Sequence, residues 1–152
     1  LEELIDAAVA KFKKRYPQAP LTVTAPDGFI MVAVDPLLIE QVLINLLENA
    51  VLHAEGMTEL RLAVSEAENS VAFEITDNGC GIPEAIMDRL FTGAISSERP
   101  SSDAHRNSMG IGLSVCTAII KAHGSTITAE NRKDGGARFR FILRKENTED
   151  GE

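Results

Sequence analysis

Residues 36–54 have the sequence PLLIEQVLINLLENAVLHA, in which polar and apolar residues recur with a helical period. Four polar residues follow one another at intervals of four, so at about 100° per residue they share one side of a helix. They are Gln41, Asn45, Asn49 and His53. The opposite side is apolar and consists of Ile39, Leu43, Leu46, Leu47 and Ala50. The stretch therefore predicts a helix that buries one face and directs carboxamides and an imidazole along another.

The polar face of this helix has an unusual composition. A solvent-facing helix normally carries Lys, Glu and Arg, whereas Asn costs roughly half a kcal/mol relative to Ala. Asn45 and Asn49 therefore leave two interpretations open: their carboxamides bond to nearby backbone groups, or they bind a ligand. A carboxamide oxygen is a neutral ligand that suits a Mg²⁺ ion whose charge is already balanced by phosphates.

The rest of the chain places strands mostly in adjacent pairs. Periodicity predicts helices at 1–15, 36–54, 83–90 and 110–123, and strands at 21–25, 29–34, 60–64, 71–76, 126–130 and 138–143. Asp27-Gly28 is a hairpin signal between the first two strands, and Asp35-Pro36 is typical of a helix start. Paired strands predict an α+β fold: a two-layer α/β sandwich whose mixed, mostly antiparallel sheet has its helices on one face.

Composition limits the possible functions. At 152 residues, with 44% hydrophobic residues, the chain fits one domain, predicted at 1–145 with a flexible acidic tail at 146–152. A net charge of −8 argues against nucleic acid as a partner, because phosphate binding needs a basic face. No apolar run is long enough to cross a bilayer, and the first residues do not follow the pattern expected of a signal peptide. Cys80 and Cys116, without a secretory signal, indicate a reducing compartment.

A predicted strand at 71–76 ends in Asp77, which is followed by Asn-Gly-Cys-Gly. The two glycines allow the backbone to bend tightly after the carboxylate. One interpretation is an ordinary Asp-Asn-Gly turn. The other is a carboxylate that accepts a hydrogen bond from the exocyclic amine of adenine and that would repel the carbonyl of guanine at the same position.

Gly110-Ile111-Gly112 is predicted to begin a helix and so to offer backbone N–H groups to a phosphate. The pattern is neither a Walker A loop nor a dinucleotide fingerprint, because the Lys-Ser/Thr of the first and the third glycine of the second are missing. The preceding stretch, 92–109, is polar and lacks periodicity. It is interpreted either as a lid whose cations cover a polyphosphate or as a solvated surface loop. Those cations are Arg99, His105 and Arg106.

In their order along the chain, these motifs resemble the sequence boxes of the sensor histidine kinases. Asn45-Leu-Leu-Glu-Asn49-Ala resembles the N box, Asp77-Asn-Gly79-Cys-Gly81 the G1 box, Leu90-Phe91 the end of the F box, Gly110-Ile-Gly112-Leu-Ser-Val the G2 box, and Gly135-Gly136-Ala-Arg-Phe139 a G3-like strand. The resemblance covers about residues 20–144. The stretches LLIEQVLINLLENAV and AHGSTITAENRKDGGARFRF are similar to the KdpD type of potassium-sensor kinase.

The resemblance implies a Bergerat fold with a mobile ATP lid, and it implies ATP and Mg²⁺ as ligands. Asn49 would bind Mg²⁺, Asn45 would assist near the phosphates, and both would have a catalytic role. Asp77 would recognise the adenine amine, and His53 would pack on the adenine. The other residues implied to contact the nucleotide are Gly79, Gly81, Ile82, Arg106, Gly110, Ile111, Gly112 and Leu113.

Three positions depart from the family pattern. Leu52 stands where many members have a Lys that reaches the phosphates, so Arg99 or Arg106 would have to supply that charge. Ser108 replaces a usual glycine of the G2 box, and Ala137 replaces a usual Ser or Thr after the G3 glycines. None of the departures removes the predicted pocket, but together they leave open that the domain binds nucleotide weakly.

The function implied is binding of Mg·ATP and donation of the γ-phosphoryl group to a histidine on a dimerisation domain. None of the three histidines of this chain lies in a His-Glu-x-x-x-Pro context, so that domain would precede Leu1 in a parent kinase. A response regulator would act downstream. This domain would lie in the cytoplasm as part of a parent kinase that is anchored in the membrane.

Three alternatives stay open. One is an ATP hydrolase of the gyrase and Hsp90 class, although Asn45 stands where those enzymes have a glutamate that activates water. Another is a degenerate domain that binds partners without nucleotide, which Leu52 favours. The third is a serine kinase or anti-sigma factor of the same fold.

Overall fold

A computed structural model of the chain describes residues 1–26, 30–53, 56–87 and 104–145, with the backbone alone at 53, 85–86 and 104–112. In chain order its elements are α1 (Glu2–Arg15), β1 (Leu21–Thr24), α2 (Pro36–His53), β2 (Leu60–Glu66), β3 (Ser70–Asp77), α3 (Glu84–Met87), α4 (Ala104–Ala122), β4 (Thr128–Asn131) and β5 (Ala137–Arg144). None of the helices in these ranges combines the length and the hydropathy of a membrane-spanning helix.

The strands form one sheet in the order β1-β2-β3-β5-β4. β1 lies parallel to β2, and the other neighbours are antiparallel. Burial alternates along β3 and β5, because successive side chains point to opposite faces of a strand. Phe73 and Phe141 pair across these strands on the buried face, with their rings stacked at a centroid distance of 4.9 Å. The predicted mixed, mostly antiparallel sheet is confirmed.

The other face of the sheet carries charged residues instead of helices. Arg140 Nε lies 3.3 Å from a carboxylate oxygen of Glu74, its cross-strand neighbour. Arg138 forms a second ion pair, at 2.9 Å, with Glu130. Polar residues on one face and apolar residues on the other are what a sheet covered on one side requires. The prediction of helices on a single face is therefore confirmed.

The start of α2 follows the predicted capping pattern. Asp35 Oδ1 accepts hydrogen bonds from the backbone N–H groups of Leu37 (3.1 Å) and Leu38 (3.3 Å), which lack partners within the helix. The predicted apolar face is buried: Ile39, Leu43, Leu46, Leu47 and Ala50. In the folded domain α2 packs against both α4 and α1.

His123 joins the end of α4 to the start of α2. Its Nε2 accepts the backbone N–H of Asp35 at 3.1 Å. The proton of the neutral ring is therefore on Nδ1, which donates to the carbonyl oxygen of Ile119 at 2.8 Å. Gly124 then ends the helix with φ +78°, as its predicted C-cap role requires.

The predicted hairpin of strands 21–25 and 29–34 is wrong. β1 pairs in parallel with β2, in the register of Leu21 with Leu60, and residues 30–34 contribute a single bridge between Val32 and Lys145. The edge of β2 offers β1 a partner that local turn signals do not indicate, so tertiary pairing overrides the local pattern. The Asp27-Gly28 turn itself lies outside the described residues.

The predicted start of the last helix at Gly110 is also wrong. α4 begins at Ala104, so residues 104–109 are helical rather than part of a loop. No proline interrupts this segment, and its Ala, Arg and Met are good helix formers. Gly110 and Gly112 consequently lie inside α4 and do not form its first turn. The rest of the predicted lid, at 92–103, and the predicted tail at 146–152 lie outside the described residues.

Candidate functional site

Asp77 is the last residue of β3, and the strand's alternation places it on the inner face of the sheet. The residue is only 5% exposed, and a carboxylate buried to this extent normally has hydrogen-bond or ionic partners. Oδ1 accepts hydrogen bonds from the backbone N–H groups of Gly79 (2.9 Å) and Ala137 (3.4 Å). One oxygen of the carboxylate is thus held by the chain at the edge of the core.

The turn between β4 and β5 presses against the backbone of Asp77. Gly136 has φ +90°, and a Cβ atom on it would lie 1.9 Å from the carbonyl oxygen of Asp77. The same carbonyl oxygen accepts a hydrogen bond from Arg132 Nη1 at 2.9 Å. Only glycine fits such a backbone contact, because any Cβ would overlap the neighbouring chain.

Asn131, the last residue of β4, binds the loop that follows Asp77. Its Oδ1 accepts the backbone N–H of Ile82 at 2.7 Å, and its Nδ2 donates to the Ile82 carbonyl oxygen at 2.9 Å. Gly81, at φ +81°, allows the approach, because a Cβ there would lie 2.8 Å from Asn131 Oδ1. The carboxamide therefore uses both of its functional groups on one residue.

The other side of the loop is tied to the start of β2. Asn78 Oδ1 accepts the backbone N–H groups of Thr58 (2.8 Å) and Glu59 (2.9 Å). Asn78 Nδ2 donates to the Thr58 hydroxyl at 2.8 Å. The residues around Asp77 are thereby held from two directions.

The polar face of α2 contains a second group of contacts. Gln41 Nε2 donates to Asn45 Oδ1 at 2.7 Å. Asn45 also makes a side-chain hydrogen bond to Cys116 of α4, and the Cys116 thiol donates to the Val42 carbonyl oxygen at 3.8 Å. Burial raises the pKa of Cys116 to about 12, and the hydrogen bond from Asn45 opposes that rise. The Asn45 carboxamide is therefore engaged on both of its sides.

Asn49 differs from Asn45 although it lies on the same face of the helix. Its side chain is 9% exposed, and Oδ1 has no hydrogen-bond partner among the described residues. A buried acceptor without a partner costs about 1–3 kcal/mol, so such an atom is well suited to a cation or an incoming donor. No group of three His, Cys, Asp or Glu residues within the described ranges could hold a metal ion by itself. An ion bound at Asn49 would need most of its ligands from a bound molecule.

The two carboxylates of α2 are both directed to α1. Glu40 pairs with Lys11, and Glu48 pairs with Arg15. The hydrogen bond that Arg15 donates to the Glu48 carboxylate raises the pKa of the Arg15 guanidinium. A groove of about 500 Å³ lies between the two helices and includes these four residues and Gln41.

Comparison with known proteins identifies the family. The model of the family described as histidine kinase-, DNA gyrase B- and HSP90-like ATPase matches residues 34–147. The chain belongs to this family. The match covers the whole of α2, β2, β3, α4, β4 and β5.

Among curated relatives of this ATPase-family domain are two named sensor protein KdpD. The one from Clostridium acetobutylicum is 38% identical over 146 residues, which is 96% of this chain, and the one from Escherichia coli K12 is 35% identical over 147 residues, which is 94% of it. The chain spans 16% of the length of each of these relatives. The predicted resemblance to sensor histidine kinases of the KdpD type is confirmed.

A solved relative confirms the fold of the domain. The catalytic domain of histidine kinase ThkA, in a nucleotide-free form, is 28% identical in sequence and superposes with a TM-score of 0.72. The superposition covers 95% of this chain and 91% of that one. The α+β sandwich is thus the fold of a histidine kinase ATP-binding domain.

The remaining predicted site residues have different surroundings. Ile82 (6% exposed) and Leu113 (1%) are core residues, and Leu52 is half-buried. His53 is the last residue of α2, but its side chain lies outside the description. Inside α4 only the backbone is described for four predicted site residues, so their roles stay predictions: Arg106, Gly110, Ile111 and Gly112.

Several residues that shape the candidate site were not predicted to do so. Asn131, Arg132 and Cys116 contact residues at least 49 positions away in sequence, so no local pattern indicates their partners. A signal was available only for Gly136, because paired glycines after a strand often mark a close backbone approach. Ala137, noted as a departure from the family pattern, still contributes through its backbone N–H.

Proposed function

We propose that this domain binds Mg·ATP and donates the γ-phosphoryl group to a histidine on the dimerisation domain of a parent sensor kinase. The observation that carries the proposal is the buried Asp77 carboxylate, held at the end of β3 by the N–H groups of Gly79 and Ala137. A fixed carboxylate accepts hydrogen bonds and offers none when ionised. It therefore favours the exocyclic amine of adenine over the carbonyl of guanine.

The phosphate end of the nucleotide is assigned to the polar face of α2. Asn49 has an oxygen without a partner among the described residues, and a carboxamide oxygen fits a Mg²⁺ ion that retains phosphate and water ligands. Bound Mg²⁺ would spread the charge of the transferring phosphoryl group. Asn45 would act beside it in the fixed orientation that Gln41 and Cys116 give to its carboxamide.

Transfer is favoured over hydrolysis because no carboxylate of α2 is placed to activate water. Glu40 and Glu48 pair with cations of α1, and Asn45 cannot take a proton as a glutamate would. The ATP-hydrolase alternative therefore has less support.

The acceptor histidine is assigned to a separate domain of the parent. His123 is engaged through both ring nitrogens and holds two helix ends together. We further propose that the phosphoryl group passes from the acceptor histidine to a response regulator. The domain is proposed to lie in the cytoplasm, with its parent anchored in the membrane.

Titration of the chain with Mg·ATP tests the proposal, with Asp77→Asn as the variant and Asp134→Asn as the matched control. Asp134 is an exposed turn residue, so the same chemical change there should leave affinity unchanged. Asp77→Asn should weaken ATP binding by about 10- to 100-fold, the value of a hydrogen bond to a charged group. GTP should fail to compete. Absence of saturable binding at millimolar ATP would instead favour the degenerate interaction domain.

A further inference from the structure

The last residue of β4 and the turn that follows it, residues 131–136, contact the loop of residues 77–82 through side chains as well as backbone. Asn131 bonds to both polar groups of the Ile82 backbone, and Arg132 bonds to the Asp77 carbonyl oxygen. These three hydrogen bonds span 2.7–2.9 Å, the normal range for strong N–H···O contacts. The two ends of the loop, Asp77 and Ile82, are thus bonded to the adjacent residues Arg132 and Asn131.

We infer that Asn131 and Arg132 are positioning residues that set the selectivity of the site for adenine, by holding the Asp77 carboxylate at a fixed place. The inference rests on the proposed function, because it concerns the base that Asp77 recognises. Neither side chain is assigned a contact with the nucleotide. Both act through the backbone of the loop.

The chemistry of Asn131 fits this task. A carboxamide offers one acceptor and two donors, and here one of each meets the N–H and C=O of Ile82. Alanine would remove both contacts. Because Ile82 is a core residue, at 6% exposure, the contact ties the loop to the packed interior.

Arg132 acts at the other end of the loop. Its guanidinium donates to the Asp77 carbonyl oxygen, on the same backbone that Gly136 contacts. The contact fixes the residue whose side chain is to select the base. A methionine of similar length would keep the apolar part of the side chain and lose the donor.

Holding the Asp77 carboxylate in place should change the relative affinities for two nucleotides. An effect on folding stability alone would weaken the binding of both nucleotides equally. ATP and ITP differ chiefly at one ring substituent, where ATP has an amine and ITP a carbonyl. A carboxylate that cannot retreat gains a hydrogen bond from the amine and is forced against the carbonyl oxygen. If the loop is released, the carboxylate loses part of the gain with ATP and can move away from ITP. The ratio of the two affinities should then fall.

The test is titration of the full chain with Mg·ATP and with Mg·ITP, for the wild type, Asn131→Ala and Arg132→Met. Asn69→Ala is the matched control, since it makes the same substitution in the turn between β2 and β3, at the opposite end of the sheet. In Asn131→Ala we expect the ratio of ATP affinity to ITP affinity to fall about tenfold, which corresponds to the free energy of about one hydrogen bond. In Arg132→Met we expect this ratio to fall less. The control should keep the wild-type ratio.

Equal weakening of ATP and ITP in both variants would overturn the inference, because it would indicate a merely structural role. An unchanged ratio with unchanged affinities would also overturn it and would leave the proposed function in place. If the wild type binds neither nucleotide, the proposed function and the inference fail together. Arg132→Met, whose side chain is only partly buried, provides the result if Asn131→Ala does not fold.

Discussion

Gly136 and Asp77 meet backbone to backbone, so closely that a Cβ atom on Gly136 would lie 1.9 Å from the Asp77 carbonyl oxygen. The two residues are 59 positions apart in sequence, and β5 brings them together as the neighbour of β3. The contact explains why the end of β3 and the following loop take one position. It also distinguishes Gly136 from the adjacent Gly135, which has no such contact.

Gly136→Ala should destabilise the domain more than Gly135→Ala. Both glycines have positive φ, +90° and +102°, so alanine is strained at either by about 1–2 kcal/mol. Only at Gly136 does the new methyl group also overlap backbone atoms, whereas at Gly135 nothing lies within 4 Å. Urea unfolding should show a further loss of at least about 2 kcal/mol for Gly136→Ala. Equal losses at the two positions would contradict the close contact.

Asn49→Leu should separate stability from binding. The substitution removes a buried oxygen that has no partner among the described residues, so the free energy of unfolding should stay the same or rise by about 1 kcal/mol. At the same time the dependence of ATP affinity on Mg²⁺ should disappear. Thermal unfolding and ATP titration with and without Mg²⁺ measure the two effects.

Asn45→Leu is the natural comparison on the same helix face. It leaves Gln41 and Cys116 without the carboxamide, so stability should fall by about 1 kcal/mol. If Asn49→Leu proves as destabilising as Asn45→Leu, the Asn49 oxygen has a structural partner and the Mg²⁺ assignment loses its support.

Strand and helix types followed from the sequence wherever one face of an element is buried. The alternation of β3 and β5 and the period of α2 report directly on burial, which is why these elements were predicted nearly to the residue. The pairing of β1 with β2 was not predictable in this way. Its partner lies 39 residues further along, and a four-residue strand at the sheet edge has no pattern that names it.

Cys116 should make stability fall at alkaline pH. Its pKa is raised from 9.0 to about 12 in the folded state by burial, so between these values the unfolded thiol loses its proton first. The unfolded state then binds fewer protons, and the free energy of unfolding falls by up to about 1.4 kcal/mol per pH unit. The contribution is fully present below pH 9 and is lost as the pH approaches 12.

Cys116→Ser should reduce that alkaline slope, because a serine hydroxyl does not titrate in the range. Cys80→Ser makes the same change at an exposed thiol and serves as the control. Urea unfolding of the three proteins across the alkaline range gives the comparison. Identical slopes for the wild type and Cys116→Ser would mean that the thiol is not held away from solvent.

Glu48→Gln should leave the rate of phosphate release from ATP unchanged and low. Glu48 is adjacent in sequence to Asn49, but its carboxylate pairs with Arg15 of α1. Glu40→Gln, at the other ion pair, should behave in the same way. A marked drop in phosphate release for Glu48→Gln alone would identify a general base and revive the hydrolase alternative.

The sequence predicts which kinds of side chain the candidate site contains, but it does not predict the distant residues that hold them in place. Asp77 and Asn49 were identified because a carboxylate after a strand and a carboxamide within a helix are unusual enough to indicate a task. No local pattern marks Asn131 and Arg132, because Asn and Arg near a turn are ordinary and their contacts lie 49 and 55 residues away. The helix start at Ala104 was missed because its first residues lack an apolar period.

The most direct measurement is a crystal structure of the domain with Mg²⁺ and a non-hydrolysable ATP analogue. We expect the adenine amine at about 2.7–3.2 Å from an Asp77 carboxylate oxygen, and Mg²⁺ between the phosphates and Asn49 Oδ1. A nucleotide in the α1–α2 groove beside Lys11 and Arg15, without any contact to Asp77, would contradict the proposed function.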